Sequence, residues 1–306
     1  MHLTVVVPTL NARDRLATSL DALAEHAPDA EIVVVNGPSS DGTSGMVRNH
    51  PAPDVLVELS ERNLNTARNA GIAAADGDIV AFVSQDSRIE AGWTETVVGV
   101  IEDGADVVTG PVHRCVDGGV TTESLETASI GPRSIRYFDG GNVAFTRSTI
   151  ETLDGFDQHL HTGAARDAAH RLAGMDVTVE WEPGMVVLRQ ETDDAIHRIG
   201  EDELPTILGL KYHSLGYRLG KNYGLRGRSV TSALGHLIEE ATGEGWNVFR
   251  GETRASAWVA TGRSVLTNLL KGTQDGLSAR MKDRSPTRNP HGVSAGSHPP
   301  VATYSL

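Results

Sequence analysis

The sequence predicts an α/β fold built on a largely parallel sheet. Short apolar, β-branched runs recur at 3–9, 31–35, 55–59 and 79–83, the pattern of strands buried on both faces. Between them, Leu16, Leu20 and Leu23 repeat at helical spacing, and an Ala-rich stretch fills 67–75. Strands alternating with helices imply parallel pairing, and ligands of such sheets sit beyond the carboxyl ends of the strands.

The first strand ends at Pro8-Thr9-Leu10-Asn11, and the second runs into Asn36-Gly37-Pro38-Ser39-Ser40-Asp41-Gly42-Thr43. Asp41 is placed to cap the helix that follows. Ala67-Arg68-Asn69-Ala70-Gly71 begins the next helix, and Phe82-Val83-Ser84-Gln85-Asp86 closes the fourth strand. No G-x-G-x-x-G follows the first strand, which removes the main signature of dinucleotide binding.

Beyond residue 106 the expected elements are strands at 107–112 and 142–146, a helix at 166–172, and a strand pair at 177–181 and 185–189 around Pro183-Gly184. Helices are expected near 203–222, 229–242 and 254–272. The last stretch is poor in apolar residues and reads as a disordered tail.

Composition narrows the classes. A net charge of −13 argues against nucleic-acid binding. Lysine occurs only at Lys211, Lys221, Lys271 and Lys282. This acid-rich, lysine-poor balance is that of a halophilic protein, although a GC-rich genome produces the same bias. No run approaches the roughly 18–20 apolar residues that span a bilayer, and no charged-then-apolar leader opens the chain. With its lone Cys115, the chain is expected to be cytoplasmic, or peripheral on the cytoplasmic face of the membrane.

The four motifs, in this order, resemble the donor half of inverting family 2 glycosyltransferases. The resemblance continues in Gly140-Gly141-Asn142-Val143-Ala144-Phe145-Thr146-Arg147 and Leu153-Asp154-Gly155-Phe156-Asp157, and covers about residues 3–190. It implies the GT-A fold, with a domain over 1–200 (donor half 1–110, acceptor half 111–200), a helical extension over 201–275 and the tail over 276–306. It also implies a nucleotide-sugar donor, with UDP favoured, held by Pro8, Thr9, Asn11, Asn36, Asp41, Arg68, Ser84 and Gln85. Asn36 stands where the family usually has Asp, which loosens the reading of uracil.

Ser84-Gln85-Asp86 takes the place of the family's Asp-x-Asp. Asp86, with His197 of the closing loop, would then hold Mg²⁺ or Mn²⁺ on the donor diphosphate; one or two protein carboxylates suffice for such an ion. Gly140, Gly141 and Asn142 would meet the acceptor. Where the family carries an acid pair on a helix, this chain has Ala164 and Ala165. Three options stay open. Asp167 is the base in a shifted register, His170 assists, or the acceptor is an already ionised phosphate that needs no base.

The segment 211–223 gathers basic and aromatic residues for an acceptor phosphate, an anionic membrane surface or helix packing. With the halophilic composition, the chain most resembles the haloarchaeal Agl glycosyltransferases. These extend dolichol-phosphate-linked glycans for N-glycosylation of surface-layer proteins, which makes a hexose or hexuronic acid the expected cargo. A catalytically inactive nucleotide-sugar-binding subunit is the alternative. A nucleotidyltransferase ranks low, since its Gly-x-Gly-x-Arg turn is missing.

Overall fold

The structure is a computed structural model that describes residues 1–116, 119–122, 124–190, 204–224, 255–285, 287–296 and 298–306. Four apolar runs form the parallel strands β1 (Leu3–Thr9), β2 (Glu31–Asn36), β3 (Val55–Glu58) and β4 (Ile79–Val83). They are linked by α1 (Arg13–His26), α2 (Thr43–Asn49) and α3 (Leu64–Ala74). Then come β5 (Ser87–Ile89), α4 (Trp93–Glu102), β6 (Val107–Thr109), β7 (Val112–Val116), β8 (Gly119–Thr122) and the hairpin β9 (Thr127–Ile130) with β10 (Arg133–Arg136). β11 (Asn142–Thr146), α5 (Arg147–Leu153), α6 (Ala164–Leu172), β12 (Val179–Trp181) and β13 (Val187–Arg189) complete this half. The C-terminal part contributes α7 (Leu204–Tyr223), α8 (Ala255–Lys282) and β14 (Ala302–Ser305).

The main sheet has the order β12-β6-β11-β4-β1-β2-β3-β14. β11 runs antiparallel to both β4 and β6, and β14 antiparallel to β3. Alternation along the strands divides the core into two layers. Val6, Val33, Val35, Val80 and Phe82 face one side, where α3, α5 and α6 pack. Val5, Val7, Val34, Ala81 and Val83 face the other, against α1 and α4. The strand order reverses direction between β4 and β1, so the crevice at their carboxyl ends is where a ligand belongs.

Three sequence expectations change. The expected strand at 107–112 divides into β6 and β7 at Gly110-Pro111, where a methyl on Gly110 would collide with the backbone carbonyls of Met185 and Glu182. The expected pair at 177–181 and 185–189 is no hairpin. A turn closed by Met185 N–H on the Glu182 carbonyl (3.1 Å) sends β12 into the main sheet and β13 into a second sheet with β5, β7 and β8. The tail is ordered where described. Asn289 donates to the Asp154 carbonyl (2.7 Å), Gln158 N–H to the His291 carbonyl (3.0 Å), and β14 covers the edge of β3. The expected helix at 229–242 lies outside the described residues.

α7 and α8 run side by side in the same direction with their backbones nearly touching. Gly216 and Gly220 of α7 meet the Leu269 and Thr273 carbonyls, while Gly272 and Gly276 of α8 meet those of His213 and Tyr217. Any side chain at these four positions would strike backbone. No described helix is long and apolar enough to cross a membrane.

Candidate functional site: a cleft at the ends of β1 and β4

A cleft of about 260 Å³ opens at the ends of β1 and β4. Pro8, Thr9 and Leu10 form one wall, and Ser84, Gln85 and Asp86 the next. Arg68 and Gly140 lie behind them, with Glu61, Arg62 and Asn63 on the rim. The two strand ends are locked together by Gln85, whose Oε1 accepts from Leu10 N–H and Thr9 Oγ1, both at 2.9 Å.

Arg68 is buried at the first turns of α3. It donates to the Gly140 carbonyl (2.9 Å) and to Asn65 Oδ1 (3.2 Å), and its guanidinium carbon lies 4.9 Å from the centre of the Phe156 ring. Burial lowers its pKa to about 10, against the opposing pull of Asp139, so it stays cationic at neutral pH. It therefore supplies positive charge to the cleft while bracing the Gly140 turn. Both glycines of that turn are needed for space. A methyl on Gly140 would meet Arg68, and one on Gly141 would meet Ser84.

Asp86 follows β4 and keeps about a fifth of its side chain exposed; Arg189 Nε approaches its Oδ1 at 3.9 Å. A cleft-lining carboxylate of this kind, with phosphate oxygens and water completing the shell, fits a divalent ion. Arg189 also reaches Asp139 with Nη2, at 3.0 Å from each oxygen. Asp139 Oδ1 in turn accepts from Gly141 N–H at 2.7 Å. Motif reading missed Asp139 and Arg189: they are 50 residues apart in sequence and meet only through the second sheet.

Other expected site residues shape the cleft without opening onto it. Asn36 is buried; its Nδ2 donates to Ser44 Oγ (2.8 Å) and its Oδ1 accepts from Ser39 Oγ (2.7 Å). Asn11 adopts a left-handed backbone (φ +48°), and its Oδ1 accepts from Ser40 N–H at 2.8 Å. Asp41 ties two helix starts, accepting from Arg13 N–H (3.0 Å) and Thr43 N–H (3.1 Å), although the N-cap itself is Gly42.

Two groups of expected residues lie buried rather than on the cleft. Asn142 is fully buried, accepting from Trp93 Nε1 (2.9 Å) and donating to the Met185 carbonyl (2.8 Å). It staples β11 to the turn before β13 and presents nothing to an acceptor. Asp167 and His170 are buried too. Asp167 accepts from Arg171 Nε (2.8 Å), Lys221 Nζ (2.8 Å) and Asn222 Nδ2 (3.0 Å). His170 lies between the hydroxyls of Tyr137 (3.4 Å) and Tyr223 (2.8 Å). Burial alone would raise the pKa of Asp167, but Lys221 and Arg171 outweigh it and hold the carboxyl well below its usual range. A carboxylate paired in this way is a poor proton acceptor.

Lys221 also binds Asp157 (2.6 Å). The basic and aromatic residues Tyr217, Arg218 and Lys221 are thus buried in helix packing rather than offered to phosphate or membrane. Ala165 lies behind Gly140, within 3.2 Å of where a β-carbon on that glycine would sit. His197 lies outside the described residues.

Residues 4–153 match the family model described as Glycosyl transferase family 2. A pre-mycofactocin glycosyltransferase of Mycobacterium tuberculosis is 28% identical over 197 residues, covering 59% of this chain and 41% of that protein. Glycosyltransferase AglE of Haloferax volcanii is 26% identical over 174 residues, covering 52% of this chain and 57% of that protein. The chain thus matches about half the length of these relatives.

Among solved structures, S. aureus TarS 1-349 superposes with a TM-score of 0.61 at 15% identity, covering 94% of this chain and 89% of that one. The mannosyltransferase PcManGT from Pyrobaculum calidifontis, in complex with GDP-Man and Mn²⁺, gives 0.51 at 20% identity, covering 95% and 86%. Sheet order, cleft position and these superpositions agree on the GT-A fold, and residues 4–153 are similar to glycosyl transferase family 2.

Proposed function

We propose that the cleft binds a nucleoside-diphosphate sugar and that the chain transfers a hexose or hexuronic acid from it, with inversion, to a polyisoprenoid (dolichol-type) lipid phosphate as first choice of acceptor, a glycan carried on such a lipid being the second. The observation that carries this reading is the convergence of Asp86, Ser84, Gln85, Arg68 and the Gly140-Gly141 turn on one crevice. Relatives add support: TarS has been solved with UDP-GlcNAc and PcManGT with GDP-Man. A UDP-sugar is our first choice of donor and a GDP-sugar the second.

The acceptor oxygen attacks the anomeric carbon from the face opposite the leaving group. The bond to the diphosphate breaks, and its electron pair leaves with the nucleoside diphosphate. Asp86 would hold Mg²⁺ or Mn²⁺, which when bound neutralises charge on that leaving group. Arg68 adds fixed positive potential beside it.

The acceptor choice rests on the missing base. Asp167 and His170 are buried away from the cleft, Ala164 and Ala165 stand where the family has acids, and Asp139 is held by Arg189. A phosphate monoester is already ionised at neutral pH and attacks without a base, whereas a sugar hydroxyl gains from one. Working on such a lipid, the enzyme would sit peripherally on the cytoplasmic face of the membrane.

The test offers radiolabelled donors with a short polyisoprenyl phosphate and, separately, with a sugar-terminated acceptor. Transfer to the phosphate, with an inverted anomeric centre, is expected. Transfer only to the sugar would overturn the acceptor choice. Donor binding with no turnover on any acceptor would leave the alternative, a nucleotide-sugar-binding subunit, which the replaced acid pair also favours.

A further inference from the structure

Outside the cleft, four segments distant in sequence bring histidines and an aspartate together. His159 lies in the loop between α5 and α6, His213 on α7, Asp275 on α8, and His291 in the segment before β14. The ligand atoms of His159, His213 and Asp275 all lie within 4.8 Å of one another, and His213 Nε2 is 2.9 Å from Asp275 Oδ2. The His159 ring stacks on that of His291 (centroids 5.4 Å apart, planes at 25°) and lies 6.1 Å from that of His213. We propose that His159, His213 and Asp275, beside which His291 stacks, form a site for a borderline divalent transition metal of the Zn²⁺ and Co²⁺ class, separate from the donor site at Asp86.

The donor chemistry selects the metal. Two imidazoles and one carboxylate, with water completing the shell, suit zinc, cobalt or nickel, whereas Mg²⁺ prefers an all-oxygen shell. Zinc–ligand bonds of about 2.0–2.2 Å require the His213–Asp275 hydrogen bond to open slightly and the widest donor separations to close. His159 and Asp275 are exposed, so an ion has a path in. Imidazole must be neutral to bind metal. Burial, together with His291 and His213, pushes His159 below its ordinary pKa, outweighing Asp157 and Asp275.

The placement gives the site a structural role. His213 and Asp275 bridge α7 and α8, and His159 joins that pair to the GT-A domain. The residues flanking His159 are already gripped from α3: the Gln158 carbonyl accepts from Asn63 Nδ2 (2.8 Å), and the Leu160 carbonyl from Asn65 Nδ2 (2.6 Å). Asn63 stands on the rim of the donor cleft. A bound ion would thus fasten the C-terminal helices to the loop that supports the cleft mouth, and it would stabilise the fold by mass action.

The test uses full-length, tag-free protein stripped with chelator and titrated with Co²⁺ and then Zn²⁺. About one equivalent per chain should bind, giving the visible absorption of Co²⁺ in a nitrogen–oxygen site and a raised melting temperature. Mg²⁺ should give neither. His159→Gln and Asp275→Asn should each abolish both signals while the metal-free protein keeps its wild-type circular dichroism and melting temperature. Asp86→Ala should keep both signals. Absence of the Co²⁺ absorption in wild type, or its survival in both variants, would overturn the proposal. Loss of the signals in Asp86→Ala instead would place the metal in the donor cleft.

Discussion

Arg189 and Asp139 form an ion pair beside the Gly140-Gly141 turn: one guanidinium nitrogen lies 3.0 Å from each carboxylate oxygen. Through Gly141 N–H, the same carboxylate fixes the turn against which a donor would lie. Arg189→Ala should therefore lower kcat/KM for the donor by about 10–100-fold. Both side chains are about a fifth exposed, so stability should change by only ~1 kcal/mol. Turnover and thermal unfolding measured on the same preparation check this; a large drop in melting temperature with normal kcat/KM would contradict it.

Asp86→Ala should remove metal-dependent turnover and leave the fold intact, because this side chain is partly exposed and its nearest ion-pair contact is a long 3.9 Å. Activity titrated against Mn²⁺, alongside circular dichroism, is the check. Near-normal rates would take the metal away from this residue.

Asp167→Asn should act on stability before it acts on chemistry. It removes charge from a fully buried cluster in which Arg171, Lys221 and Asp157 balance one another. Removing one partner of such a cluster typically costs about 3–5 kcal/mol, read here by urea unfolding. A variant of wild-type stability that has lost only kcat would return Asp167 to the role of base.

The same cluster sets a pH dependence. Asp167 titrates lower in the folded chain than in the unfolded one. Its contribution to stability is therefore complete above the unfolded value of about 3.9 and is lost as pH falls from there through the folded value. Wild type should lose stability below about pH 4, and Asp167→Asn should show a flatter acid limb. Parallel acid limbs for the two proteins would contradict this.

Gly272→Val tests the close approach of α7 and α8, since its side chain would strike the His213 carbonyl. A loss of about 1–3 kcal/mol is expected, measured by thermal unfolding. Gly99→Val on α4, where a β-carbon meets nothing within 4 Å, is the control.

The donor half was legible because its information is local. Buried strands announce themselves as β-branched runs; Pro8-Thr9 and Ser84-Gln85-Asp86 sit where two of those runs stop, and Arg68 in the helix after the third. What stayed hidden depends on partners far along the chain. Asp167 reads as an ordinary acid near a helix start until Lys221, 54 residues away, is placed beside it. Asn142 reads as a sugar ligand until Trp93 and Met185 claim its amide. β14 is four residues long with little apolar content, and only the open edge of β3 makes it a strand. The strands at 177–181 and 185–189 share a turn but answer to different sheets, which alternation within each run does not reveal.

The central claim, a nucleotide-sugar cleft anchored at Asp86, is tested most directly by thermal unfolding at high salt with Mn²⁺ and a panel of UDP-, GDP- and other nucleotide sugars. At least one should raise the melting temperature of wild type by several degrees, and Asp86→Ala should show no such rise. No shift with any nucleotide sugar, or the same shift in both proteins, would contradict the account.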